Sequence, residues 1–177
     1  MGGITQGNRN VLPTLTVRHP EEMVHFGKMH RVGNLFKGIV NSGSANFLIQ
    51  TGTSEFNIFL GISADGPCYL YLYEGTFVSN SGTEITPVGN NRNVLTNITS
   101  KYYYTPTITT AGTLLGISYI SGSTGGGPTA GGSATGGSIE TNNEYILANT
   151  QRYTIIAVNT SGVPINIFTF LEFYEIP

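Results

Sequence analysis

The sequence is poor in charged residues. Charged side chains make up 10% of its 177 residues, against about 25% in a typical soluble globular domain. Because a solvated monomer normally covers its surface with Lys and Glu, a chain with so little charge leaves much of its surface neutral-polar or apolar. Aromatic residues reach 11% of the chain, which argues against disorder. The composition therefore favours a compact, oligomeric β protein.

Residues that carry chemistry are equally scarce, with one cysteine (Cys68), one aspartate (Asp65) and three histidines (His19, His25 and His30). Cys68 lies inside a strand pattern, which indicates a buried small hydrophobe and not a nucleophile. A single Asp excludes acidic calcium loops, and the histidines lack the spacing and the further ligand of a zinc site. Neither a GxSxG nucleophile elbow nor a phosphate-binding glycine loop occurs. We therefore expect no enzyme, with no catalytic residues, no metal and no cofactor.

Long hydrophobic runs are missing from the sequence as well. The N-terminal MGGITQGNRN contains no apolar core of a signal peptide. No run reaches the length of roughly 20 apolar residues that spans a bilayer as a helix. We expect a protein that is made in the cytoplasm and has no membrane partner.

What the sequence does contain is a series of short β-type runs separated by turns. In CYLYLYE the tyrosines Tyr69, Tyr71 and Tyr73 alternate with aliphatic residues, so this strand has one aromatic face. The stretches SNSGT and TTAGT place glycine where a tight turn requires positive φ. Runs spaced about 8–12 residues apart predict a single antiparallel β-sandwich or a jelly-roll-like barrel. The predicted strands cover residues 35–40, 47–51, 56–63, 68–74, 84–87, 101–105, 114–120, 144–147, 153–159 and 165–174.

The last two predicted strands are apolar on both faces, whereas an antiparallel sandwich strand normally has one face in solvent. Two explanations remain open: a covering arm lies over the strands, or a neighbouring subunit packs against them. The tyrosine row has two interpretations too, a platform for sugar or base stacking and packing in a core or interface. For a subunit interface, the predicted residues are Tyr69, Tyr71, Tyr73, Phe168, Phe170 and Tyr174.

The chain divides into two parts by pattern. Residues 1–33 are predicted to form an extended N-terminal arm and a small hairpin, although residues 21–32 also fit one helical turn. Residues 34–177 are predicted to form the β-sandwich, with a Gly-rich loop at 121–138 that is either a plain surface loop or a neutral contact lobe. The first 40 residues carry five of the eight Lys and Arg. Such dispersed charge fits a solvated terminus or contact with an acidic protein, and not nucleic acid.

Several blocks in fixed order resemble a known family. YLYEGTFVSNSGTEITPVGNNRN, YTPTITTAGTLL, the Gly-rich stretch, EYILANTQRYTIIAVNTSG and FLEFYE span roughly residues 45–175, and together they resemble the head decoration, or capsid cement, proteins of tailed bacteriophages. The resemblance implies β-sandwich or jelly-roll subunits, commonly homotrimers, that bind the major capsid protein on the outer surface of the virion and have no catalytic residues. The arm is then the predicted capsid contact, through Arg9, Val11, Leu12, Arg18 and His19.

A function of a different class fits the same residues. A carbohydrate- or receptor-binding β module, carried on a phage fibre or a head adhesin, would use the tyrosine rows and the Gly-rich loop. The copy number per virion separates the two functions, since a cement protein is present in hundreds of copies and a fibre module in few.

Overall fold

The computed structural model describes residues 19–94, 97–121 and 137–176 of the chain, with side chains described from residue 22 onwards and not for residues 137–143. These residues form one short helix, α1 (His19–His25), and thirteen strands. The strands are β1 (His30–Ile39), β2 (Ser44–Gln50), β3 (Glu55–Ala64), β4 (Cys68–Glu74), β5 (Phe77–Asn80), β6 (Thr83–Ile85), β7 (Val88–Gly89), β8 (Lys101–Tyr104), β9 (Thr107–Thr110), β10 (Thr113–Ile120), β11 (Gly137–Leu147), β12 (Arg152–Asn159) and β13 (Ile165–Ile176).

The strands form two packed sheets and a separate ribbon. Sheet A has the order β11-β3-β13-β1-β7, and sheet B has the order β10-β4-β12-β2-β8-β6. β5 and β9 pair only with each other and form the β5–β9 ribbon. Every pairing is antiparallel. The antiparallel β-sandwich predicted from the sequence is confirmed.

The order of the strands is that of a jelly roll. From β1 to β4, and again from β10 to β13, successive strands alternate between sheet A and sheet B. β4 and β10 lie side by side in sheet B and are joined by residues 75–112. Eight strands connected in this way form two Greek keys, and β5 to β9 form an insertion between the fourth and fifth of them.

One continuous core lies between the sheets, and the alternation of the sequence explains it. On β13, Ile165, Ile167, Leu171 and Phe173 point inward and are buried in the core cluster. Residues 47, 49 and 155 from sheet B meet them, each at an inward-pointing position of its strand. Cys68 is fully buried in the same cluster, as predicted.

The β5–β9 ribbon lies over the outer face of sheet B. Its first strand follows β4, and at this junction the Gly75 amide donates a hydrogen bond to the Arg152 carbonyl (2.8 Å). Its second strand follows β8, and at that junction the Thr105 amide donates a hydrogen bond to the Asn46 carbonyl (3.0 Å). Between these points Leu48 points away from the core, because its neighbours on β2 are core residues, yet it is fully buried. Leu48 is therefore covered by another part of the chain, at a place where the sequence alone predicted no cover.

The predicted small hairpin within residues 1–33 is wrong. Residues 19–25 form α1, and the chain turns at Gly27 (φ +70°) into β1, which begins at His30. Met23 of α1 packs with Met29 and Tyr174 on the outer face of sheet A. This apolar contact selects the helical turn over the hairpin. The rest of the predicted arm, residues 1–18, lies outside the described residues.

Candidate interaction surfaces

No group of three or more His, Cys, Asp and Glu among the described residues could hold a metal ion. Burial raises the pKa of the Cys68 thiol to about 11, so the thiolate needed for nucleophilic chemistry is scarce at neutral pH. His30 is buried against the ring of Phe173 at 5.6 Å, and its Nδ1 lies 2.8 Å from the Lys28 carbonyl oxygen. No helix among the described residues is long and apolar enough to cross a membrane.

The residues predicted to form one subunit interface fall on two opposite surfaces. Tyr69, Tyr71 and Tyr73 lie on β4 and point outward from sheet B. Phe168 and Phe170 lie on β13 and point outward from sheet A. Because the two sheets pack on each other through their inner faces, these two groups face in opposite directions. The structure therefore divides the predicted interface into two separate candidate surfaces.

The first surface is the tyrosine face, which also takes in residues of β10. Ile117 pairs with Tyr71 and Tyr119 pairs with Tyr69, so their side chains share one side of the sheet. Ring centroids lie 4.7 Å apart between Tyr69 and Tyr119 and 6.1 Å apart between Tyr71 and Tyr73. Sequence reasoning missed the β10 residues, although the alternation in LLGISYI signals them. The tyrosine face consists of Tyr69, Tyr71, Tyr73, Leu114, Ile117 and Tyr119.

The second surface is the phenylalanine face, formed by Leu35, Phe168 and Phe170. The rings of Phe168 and Phe170 are stacked with centroids 5.7 Å apart, and Leu35 lies directly opposite Phe168 on β1. The absence of a side chain at Gly61 leaves room for the Phe170 ring, since a Cβ atom at Gly61 would come closer than 3.0 Å to that ring. Phe168 and Leu35 are 40% and 48% exposed, which leaves an apolar surface in contact with solvent.

Tyr174 does not belong to either exposed surface. It is buried within the chain, where it packs with Met23 and Met29 and its hydroxyl donates a hydrogen bond to Glu144. The sequence pattern placed it on the outer face of β13 correctly. The pattern could not show that α1 covers that end of the strand, because the contact joins residues far apart in the chain.

The predicted capsid-contact residues fall mostly outside the described part of the chain. Arg9, Val11, Leu12 and Arg18 lie there, and so do residues 122–136 of the Gly-rich loop. His19 is the first residue of α1, and its side chain is not described. Helix α1, which directly follows the predicted arm in the sequence, packs on the outer face of sheet A, the side that also carries the phenylalanine face.

A half-buried carboxylate ties the two sheets together at the end of β13. Glu175 of β13 accepts hydrogen bonds from the Thr99 amide, the Thr99 hydroxyl and the Ser100 amide, each at 2.9 Å. Burial alone would raise the pKa of Glu175, but these hydrogen bonds outweigh it and hold the pKa below its usual value. The ionised group thus fixes the start of β8 in sheet B to the end of β13 in sheet A.

No protein-family model matches the chain, and no curated protein matches it.

Proposed function

We propose that the protein is a structural virion protein that binds the outer surface of an assembled phage capsid and stabilises it, as a decoration or cement protein. The observation that carries the proposal is the pair of exposed aromatic faces on opposite sides of a sandwich that has few charged residues. Exposed apolar surface of this kind is typical of a binding surface in a soluble protein. The order of sequence blocks that resembles decoration proteins points in the same direction.

The mechanism is stabilisation by binding and needs no chemistry. A protein that binds the assembled lattice and not the free coat subunit raises the free energy of disassembly by mass action. Many modest contacts on each particle multiply the effect, since a capsomer cannot loosen before several neighbouring contacts break. Flat aromatic faces suit such contacts, because large rigid side chains bury much area at low cost in conformational entropy.

The two faces have different roles in this proposal. Helix α1 and the phenylalanine face lie on the same side of the sandwich, and we assign that side to the major capsid protein. The arm residues Arg9 and Arg18 supply charge contacts to that partner. The tyrosine face then points away from this contact and is available to other copies of the chain, in the homotrimer that the resemblance implies. The location is the outer surface of the virion.

Deleting residues 2–18 is expected to weaken binding to capsids at least tenfold, because the deletion removes the arm contacts and leaves the sandwich intact. The measurement is co-sedimentation of purified protein with particles of the phage that encodes it, after the particles have been stripped of the protein. Far-UV circular dichroism of the truncated protein serves as the folding control and should keep the β spectrum. Equal binding by the full-length and truncated proteins would remove the arm from the proposal, and no binding by either would contradict the proposal itself.

A carbohydrate- or receptor-binding module is the second candidate. The observation in its favour is the row of neighbouring tyrosine rings at Tyr69, Tyr71 and Tyr73, since aromatic rows are used as stacking platforms. The copy number separates the candidates: a gel of purified particles should show the chain in hundreds of copies if it is a decoration protein and in few if it belongs to a fibre.

A further inference from the structure

Sheet B and the ribbon contain an internal structural repeat with an offset of thirty residues. Residues 69–84 and 99–114 follow the same path, strand, ribbon and strand: β4–β5–β6 in the first and β8–β9–β10 in the second. The pairings match across a two-fold axis, because Thr83 pairs with Tyr104 as Thr113 pairs with Glu74. At the centre of the ribbon Val78 pairs with Ile108, its own equivalent.

Backbone details obey the same symmetry. Gly75 and Thr105 both have positive φ (+71° and +55°), and both donate to a carbonyl of the central strands of sheet B. Gly82 and Gly112 have φ of +90° and +95°. A Cβ at Gly82 would collide with the backbone at Tyr104 and Thr105, and one at Gly112 with the backbone at Glu74 and Gly75, the equivalent places. The repeat therefore extends to the backbone conformation of individual turns.

The repeat supplies an internal comparison for the tyrosine face. One half carries Tyr69 and Tyr71 on β4; the equivalent positions thirty residues on are Thr99, which precedes β8, and Lys101, the first residue of β8. The edge position Leu114, opposite Tyr73, is matched by Glu84, opposite Tyr103. The same scaffold thus carries uncharged aromatic and aliphatic residues in one half and a lysine and a glutamate in the other.

This comparison shows that the scaffold does not need the apolar residues. Lys101 and Glu84 are exposed and are what a solvated strand normally carries. At the equivalent places, Leu114 is 46% exposed and Tyr71 is half-buried. Packing within the chain therefore does not account for the tyrosine face, and a partner surface does.

We infer that the tyrosine face is the contact surface for a second copy of this chain. This deepens the proposed function, which includes an oligomer. Tyr69, Leu114, Ile117 and Tyr119 leave on the order of 400 Å² exposed, taking usual side-chain areas, which is about half of one partner's share of a standard interface. No member of the face is charged, so a charged partner finds no complement there. Phenol hydroxyls both donate and accept hydrogen bonds, so tyrosines of different copies can pair with one another where the copies meet around a symmetry axis.

The positions of the two faces support this choice of occupant. If the tyrosine face of one copy contacted the phenylalanine face of the next, opposite sides of the sandwich would join and the copies would form an open stack. A closed oligomer therefore does not pair the tyrosine face with the phenylalanine face. The side with α1 and the phenylalanine face is assigned to the capsid, and the tyrosine face remains for the second copy.

The test uses substitutions that the repeat itself provides. Tyr71→Lys combined with Leu114→Glu places on the tyrosine face the residues that already occupy the equivalent positions, so the fold tolerates them. The mass of the particle in solution is measured by light scattering during gel filtration, at protein concentrations of about 1–100 µM, where stable oligomers stay associated. We expect the wild-type protein at a multiple of 18.9 kDa and the double variant at the single-chain mass with an unchanged circular dichroism spectrum.

Phe168→Lys is the matched control, since it places one charge on the opposite face and should leave the oligomer mass unchanged. A wild-type protein of single-chain mass, a double variant that keeps the oligomer mass, or an oligomer that dissociates on Phe168→Lys alone would each overturn the inference. A single-chain wild type that loses capsid binding on Tyr71→Lys would assign the face to the capsid instead. No capsid is present in the mass measurement. A result that overturns the contact between copies therefore leaves the proposed decoration role untouched.

Discussion

Gly112→Ala is expected to lower the free energy of unfolding by about 3 kcal/mol or more. Two costs add at this residue. Its φ of +95° belongs to the region that L side chains rarely adopt, which costs about 1–2 kcal/mol. In addition, a Cβ atom would come closer than 3.0 Å to the backbone of Glu74 and Gly75, and this backbone belongs to the next strand and cannot rotate away. Urea unfolding followed by circular dichroism measures the loss.

The internal repeat provides a replicate and the fold provides a control. Gly82→Ala should cost about as much as Gly112→Ala, because Gly82 occupies the equivalent turn and would meet the backbone of Tyr104 and Thr105. Gly38→Ala should cost only about 1 kcal/mol, since Gly38 has a φ of +63° but open space around it. Equal losses at Gly112 and Gly38 would contradict the close approach of the strands.

Leu48→Ala is expected to lower the free energy of unfolding by about 2–5 kcal/mol, the usual range for a fully buried leucine. Leu48 is 0% exposed although it points away from the main core. The loss therefore measures how tightly the β5–β9 ribbon covers sheet B. Chemical denaturation again provides the measurement.

Leu35→Ala is the matched control for this prediction. Leu35 also lies on the outer face of a sheet, but it is 48% exposed because nothing in the described chain covers it. We expect a loss below about 1 kcal/mol there. If Leu48→Ala cost no more than Leu35→Ala, the ribbon would not be packed on sheet B in solution.

The sandwich could be predicted because the alternation of buried and exposed residues in its long strands is visible in the sequence. On β4 Cys68, Leu70 and Leu72 are buried, and the sequence alternates there between these residues and tyrosines. The short strands β5, β7 and β9 were missed. FVSN and TITT are mostly polar and have exposed faces, so they lack the apolar alternation on which such a prediction depends.

The repeat was invisible in the sequence for a physical reason. Over its sixteen paired positions only Tyr73 and Tyr103, Gly82 and Gly112, and Thr83 and Thr113 are identical. The two halves share their backbone geometry, and many different side chains are compatible with it. Only the tight turn requires a particular residue, glycine. The tyrosines of the candidate surface were found from the sequence because they alternate. Their division from the phenylalanines was not, because it depends on which sheet each strand joins.

The measurement that tests the central claim most directly is the temperature at which phage particles release their DNA. Particles stripped of the protein are compared with the same particles after re-coating with the purified full-length chain. The account predicts release at a higher temperature from the re-coated particles, since disassembly must then break the added contacts as well. Release at the same temperature from stripped and re-coated particles would contradict the cement function.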